Sequence, residues 1–221
     1  MLYVTGDMHG DLSRFADPAL RRLKKGDTLF VCGDFGFIWN DSRKEKAALK
    51  KLSRLKYTVA FLDGVHENFD LLADYPVEEW HGGRAQRIAD NVWHLLRGEL
   101  YEPEGVRIFT FGGGESAEHE LREAHKTWWE QEMPSAEEMT AGLRRLEKAG
   151  HEVDYILTHE PSGKADGYLD ISNKRLDGVN VYLNQLEERV TCRSWFFGSL
   201  HCDKRLSKHH VAVFRKVHPL K

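Results

Sequence analysis

Apolar residues along the chain follow two rhythms. Short β-rich runs recur at residues 2–5, 28–32, 58–62, 106–111, 155–158, 194–197 and 211–217. Between several of them the spacing becomes helical. Residues 12–23 carry Leu12, Phe15, Ala16, Leu20 and Leu23 on one side, and residues 42–55 carry Ala47, Ala48, Leu52 and Leu55. Residues 135–149 open with Ser135-Ala136-Glu137-Glu138, the reciprocal capping pattern of a helix start. Strands alternating with helices predict an α/β architecture. Residues 92–114 instead hold two or three closely spaced strands with Gly98 and Glu104-Gly105 as turns, so antiparallel hairpins should extend a mixed sheet there.

No fixed-period repeat, low-complexity tract or linker interrupts this pattern. With 221 residues, 41% hydrophobic and 30% charged, the composition is that of a globular protein and excludes disorder as the main state. The length suits one sizeable core, so a single domain spanning 1–221 is expected. A formal charge of -3 provides no global attraction to a phosphate backbone, and nucleic-acid binding would need a local basic patch. The cationic stretches at 21–25 and 43–51 could form such a track but read first as solvated helix faces. Three cysteines, Cys32, Cys192 and Cys202, do not make a disulfide framework, and the opening Met1-Leu2-Tyr3-Val4 lacks leader character, so a cytoplasmic location is expected. The longest apolar runs, such as Trp195-Phe196-Phe197, fall far short of the about 20 residues of a membrane helix.

Chemistry collects at the ends of the apolar runs. Asp7 and His9, Asp34, His66 with Glu67, His159 with Glu160, and His201 each follow one, mostly through a Gly that permits a sharp turn. In open α/β sheets ligands bind beyond the carboxyl ends of the strands, which would deliver these side chains to one crevice. Asp7 and His9 are two apart and point the same way on an extended path. Carboxylate with imidazole suits a borderline divalent ion such as Mn, Fe or Zn, while the lack of a thiolate cluster argues against structural zinc. A single Asp at such a position is usually a turn former, but a set of strand ends carrying Asp or His is not explained that way. The other histidines, including His94, His151, His209, His210 and His218, read as surface or satisfied core residues, with His119 and His125 as the exceptions to watch.

Taken in order, Gly6-Asp7-Met8-His9-Gly10-Asp11, Gly33-Asp34, Gly64-Val65-His66-Glu67, His159 and Gly198-Ser199-Leu200-His201 resemble the calcineurin-like metallophosphoesterase superfamily. Its pattern is Asp-x-His, Gly-Asp, Gly-Asn-His-Asp/Glu, a lone His and Gly-His-x-His. Gly112-Gly113-Gly114-Glu115-Ser116, Arg122 and the stretch from Trp128-Trp129 to Pro134 also resemble a small bacterial and phage subgroup. The resemblance implies a two-sheet αββα sandwich with mixed sheets and a dimetal site at the strand ends. It implies a first metal on Asp7, His9, Asp34 and His201, with Asp34 bridging to a second metal that His159 also binds. It further implies His66 as the acid that protonates the leaving oxygen, a role that suits the pKa of an imidazole, and Glu67 would orient it if the two side chains converge.

Two positions depart from that pattern, and both fall on the second metal. The family's Asn is Val65 here, which has no donor atom, and the first His of Gly-His-x-His is Ser199, a weak neutral ligand. Glu67, Asn68, Glu160, Cys202 and Asp203 are the residues nearby in sequence that could compensate. Arg122 is a candidate grip on the phosphate, because a guanidinium holds two oxygens at once. By size Trp128 and Trp129 belong to the core, and residues 112–114 lack the Lys-Ser/Thr of a nucleotide loop, so those glycines should allow close backbone approach instead. The expected function is metal-dependent hydrolysis of a phosphomonoester or phosphodiester, using one or two divalent ions with Mn as first choice. The competing expectation is a pseudo-phosphoesterase retained as a binding or regulatory module. No membrane partner is expected, and nucleic acid is a minor alternative.

Overall fold

The structure is a computed structural model that describes residues 1–116, 121–167 and 177–221. His119 lies outside the described residues. The first part of the chain forms β1 (Leu2–Thr5), α1 (Pro18–Arg21), β2 (Thr28–Val31), α2 (Arg43–Leu52), β3 (Thr58–Phe61), α3 (Phe69–Ala73), β4 (Val77–Trp80), β5 (Gly83–Ala89) and β6 (Val92–Leu95). The remainder forms β7 (Glu99–Tyr101), β8 (Ile108–Phe111), α4 (Ala136–Lys148), β9 (Tyr155–Thr158), α5 (Gly163–Gly167), α6 (Gly178–Arg189), β10 (Ser194–Phe197), β11 (Lys204–Arg205), β12 (His210–Ala212) and β13 (His218–Leu220).

The strands make a seven-stranded sheet in the order β13-β1-β2-β3-β6-β5-β4 and a six-stranded sheet in the order β11-β12-β10-β9-β8-β7. Each has a parallel centre and antiparallel edges. The period-2 side-chain alternation explains why two sheets stack. Leu2, Val4, Phe30, Cys32, Ala60 and Leu62 of the first sheet share one buried cluster with Ile108, Tyr155, Leu157 and Phe196 of the second. The intervening residues Leu29, Val31, Val59 and Phe61 face outward and are covered by Leu20, Leu52 and Leu72 from α1, α2 and α3. On the other side Phe109, Phe111, Ile156, Trp195 and Phe197 are covered by Leu146, Leu183 and Leu186 from α4 and α6. Strands apolar on both faces are what a parallel sheet buried on both sides requires. The result is the αββα sandwich with mixed sheets.

Two predicted elements are divided. Residues 12–23 form a 3-10 turn at Leu12–Ala16 and then α1, because Pro18 lacks an N–H and biases Asp17 to an extended conformation. Residues 211–217 are not one strand. The Asp203 carboxylate accepts the N–H groups of Phe214, Arg215 and Lys216, turning the chain after β12 so that β13 crosses to pair with β1 in the other sheet. The helix at 135–149 forms as expected, with both capping-box hydrogen bonds between Ser135 and Glu138. No helix among the described residues is long and apolar enough to cross a membrane.

Candidate metal centre

β1, β2, β3, β9 and β10 all run toward one edge, and the residues that follow them meet there. Asp7, His9, Asp34 and His201 each bring a ligand atom within 4.8 Å of the others. His201 Nε2 lies 2.9 Å from Asp7 Oδ2 and 2.9 Å from His9 Nε2. His9 Nδ1 lies 3.7 Å from Asp34 Oδ2. Asp7 is fully buried, and its Oδ2 has no hydrogen-bond donor, since the nearby imidazoles approach outside hydrogen-bond geometry. An orphaned buried carboxylate oxygen facing two ring nitrogens is costly alone and natural around a cation. The two His201 contacts, at 2.9 Å, match the edge of a coordination shell with bonds of about 2.0–2.2 Å, and the remaining ligand atoms lie within 4.8 Å of one another. The donor set therefore fits a borderline divalent ion.

The backbone that presents these groups is unusual. His9, Asp34, Ser199 and His201 have φ of 48°, 46°, 51° and 47°. Left-handed non-glycine residues cost free energy and concentrate where a side chain must be aimed. The neighbouring loops hold them: the Asp34 carbonyl accepts the N–H groups of both Met8 and His9, and Arg14 donates to the Asp7 and Phe214 carbonyls. Close approach demands glycine at two positions. A Cβ at Gly64 would stand 2.2 Å from Asp34 Oδ1, and one at Gly198 would stand 2.2 Å from Asp7 Oδ1.

Asp34 is the hub. Its Oδ1 accepts the N–H groups of Val65 at 2.7 Å and His66 at 3.0 Å, and its Oδ2 lies 2.7 Å from His66 Nδ1. Burial opposes its charge, but His159 and the His66 hydrogen bond outweigh burial and hold the carboxyl well below the usual range. His159 is buried, with Nε2 3.7 Å from Asp34 Oδ1 and Nδ1 3.9 Å from Asp7 Oδ1. Burial lowers its pKa, yet the Asp34 and Asp7 charges override this and raise it to about 9. It stands beside the four converging ligands rather than among them.

Val65 and Ser199 contribute through their backbones. The Val65 N–H holds Asp34, and the Ser199 N–H donates to Asp7 Oδ1 at 3.3 Å, while the Ser199 hydroxyl is buried without a hydrogen-bond partner. Most of the candidate compensators are engaged elsewhere. Asn68 caps α3 and donates to the Trp39 carbonyl, and Asp203 holds the turn before β13. Cys202 is only half-buried and packs with the apolar residues of the second sheet's outer layer, while Glu160 is buried beside His159 and Gly114. Glu67 does not orient His66; Asp34 does. The buried Glu67 carboxylate accepts N–H groups from Phe35 at 2.6 Å and Gly64 at 2.8 Å, tying the loops after β2 and β3 together. Burial first, and then the Asp34 charge, push its pKa up to about 8. A further support, Arg14, carries no signal in the sequence pattern, which marks strand ends and not the residues that brace them.

Arg122 donates to Ser116 Oγ at 3.1 Å, and Ser116 Oγ in turn donates to Glu132 Oε2 at 2.6 Å; neither contact involves the converging ligands. His125 faces Asp70, and His94 is a satisfied core histidine between Gln86 and Asp63. Trp129 is fully buried and Trp128 half-buried. The site opens onto a cavity of about 290 Å³ lined by His9 and His66. A larger one, about 700 Å³, overlies the buried Asp63–Arg97 pair and shares none of the four ligands.

The two stacked mixed sheets carry at their strand ends an Asp/His cluster that could hold a divalent metal ion. Residues 1–203 match the family model for calcineurin-like phosphoesterases, and the chain belongs to that family. No curated protein matches it.

Proposed function

We propose that the chain is a metal-dependent phosphoesterase that hydrolyses a phosphomonoester or phosphodiester, with Mn as its ion and a second metal position weakened by Val65 and Ser199. The observation that carries this reading is the convergence of Asp7, His9, Asp34 and His201, with His66 hydrogen-bonded to the same Asp34. Asp7, His9, Asp34 and His201 would hold the first ion and Asp34 with His159 a second; a bound divalent ion supplies Lewis acidity toward phosphoryl oxygens and toward water. The protein's own part is orientation and proton delivery. Asp34 engages His66 Nδ1, so Nε2 is the nitrogen left to protonate the leaving oxygen. His66 lines the open cavity and its side chain is 40% exposed, which gives a substrate access to it. Phe37 and Trp39 give that cavity an apolar wall. The three unpaired cysteines suit the reducing cytoplasm, where we place the protein.

A second reading is favoured by one observation: at the two positions where the family supplies metal ligands, this chain has an aliphatic side chain and an unpartnered hydroxyl. In that reading the scaffold binds a phosphorylated ligand without turning it over. Mn-dependent hydrolysis of a chromogenic monoester and diester separates the two. Turnover that disappears in Asp34→Asn supports the enzyme. Silence in the natural protein, with activity in a Val65→Asn, Ser199→His variant, supports the binding module, and silence in both overturns the enzymatic reading.

A further inference from the structure

The cavity beside His66 has a built far wall. Trp39 is fixed at both backbone ends: its N–H donates to Glu45 Oε1 at 2.6 Å and its carbonyl accepts from Asn68 Nδ2 at 2.8 Å. Its ring meets the buried Trp129 edge-on at 5.3 Å and sits 6.4 Å, centroid to centroid, from His66. Trp129 is anchored in turn by its Nε1, 2.8 Å from Asp70 Oδ2. Such a half-buried indole is a rigid platform, ordered before any ligand arrives.

The wall carries one cation, Lys44, and one carboxylate, Glu45, whose oxygens are taken up by backbone N–H groups. Lys44 lines the cavity, is exposed, and forms no ion pair among the described residues. Its neighbours are engaged: Lys46 pairs with Asp41 at 2.6 Å, and the Glu45 carboxylate accepts N–H groups from Trp39, Asn40 and Asp41. A flat aromatic platform next to an uncommitted cation selects a ligand with a planar ring and a separate anionic group. The volume, about 290 Å³, lies just below the about 300–1,000 Å³ typical of small-molecule sites and leaves room for no more than one such unit.

We infer that this cavity is a leaving-group site for a nucleotide, with its base stacked on Trp39 and a phosphate other than the scissile one facing Lys44. The inference rests on the phosphoesterase reading, in which His66 faces the leaving oxygen. The nucleotide is either free or the end of an oligonucleotide. An oligonucleotide would also reach Lys51 and Arg21, which line a separate hollow of about 220 Å³ farther along α2.

The test begins with equilibrium binding of adenosine 5′-monophosphate and of adenosine to the full chain held in chelator, followed by tryptophan fluorescence and calorimetry. Trp39→Ala should weaken the nucleotide by at least about tenfold. Lys44→Ala should weaken it about fivefold and leave adenosine unchanged. Lys51→Ala should weaken a tetranucleotide if the source is an oligonucleotide, and should have no effect on the mononucleotide. Lys44 is exposed, so its variant remains informative if Trp39→Ala fails to fold. Absent saturable nucleotide binding, or equal affinity in the natural protein and in Lys44→Ala, overturns the inference. The second readout is Mn-dependent kcat/KM for a 5′-phosphorylated dinucleotide relative to methyl phosphate, which should fall in both variants through KM. An unchanged ratio with sustained turnover sinks the nucleotide site and leaves the phosphoesterase reading standing. Binding that depends on Trp39 and Lys44, with no phosphoester hydrolysed, does the reverse.

Discussion

The Val65 N–H donates to Asp34 Oδ1 at 2.7 Å, so a residue with no donor in its side chain still positions a candidate metal ligand through its backbone. A Val65→Asn substitution should keep that hydrogen bond and add an amide oxygen beside the ligands. Combined with Ser199→His, it should raise bound Mn from about one ion per chain toward two. Elemental analysis after gel filtration reads the stoichiometry, and an unchanged ratio would show that the second position is limited by something other than these two side chains.

Asp34 serves the ligand cluster and His66 at once. Asp34→Asn should therefore lower Mn affinity and cut turnover by more than about 100-fold, because it weakens the metal and removes the group that orients the acid. His66→Gln should leave Mn affinity within about threefold while reducing turnover, since His66 is not among the converging ligands. Parallel metal titrations and rates on the two variants distinguish these effects.

Glu67 holds two strand-end loops by accepting N–H groups from both. Glu67→Gln keeps the size but turns an amide N–H₂ toward one of those donors. It should cost about 1–3 kcal/mol in stability and weaken Mn binding about 10–100-fold. Urea denaturation and metal titration give the two numbers independently.

Away from the metal centre, Asp63 is buried and paired with Arg97, whose Nε and Nη2 both donate to Asp63 Oδ2, while His94 Nε2 faces Oδ1. Burial opposes its charge, but Arg97 and His94 hold its pKa well below the ordinary carboxylate range. A depressed folded-state pKa adds stability that is complete above the unfolded value, about 3.9, and is lost as pH falls below it. Acid unfolding should therefore steepen below about pH 4, and Asp63→Asn should flatten that slope while costing about 3–5 kcal/mol near neutral pH. Thermal midpoints from pH 3 to 7 for the two proteins check both statements.

Much of this architecture could be read in advance because its signals are local. The runs at 2–5, 155–158 and 194–197 became β1, β9 and β10 with the same limits, since apolar β-branched and aromatic residues ended at Gly or polar positions. The convergence of Asp7, His9, Asp34 and His201 followed from strand ends sharing an edge. What escaped depended on distant partners. β5, with the sequence GRAQRIA, has weak alternation and exists because β4 and β6 flank it. The break at 213–217 comes from a carboxylate eleven residues away from Phe214, and the bracing by Glu67 and Arg14 links loops far apart in sequence. Helix α6 carried a legible signal, Val179, Tyr182, Leu183 and Leu186 at helical spacing above an Asp177 cap, that the strand-centred reading passed over.

The left-handed backbone at His9, Asp34, Ser199 and His201 sets the terms on which this protein could be made hardier. Each such residue costs about 1–3 kcal/mol relative to a relaxed conformation, and glycine would relieve much of it. Selection for heat resistance alone would then favour glycine at His9, Asp34 and His201, where the candidate metal ligands are imidazole and carboxylate. Screens that score melting temperature without metal affinity should drift toward robust and inert variants, and the two traits would have to be improved at different addresses in the chain.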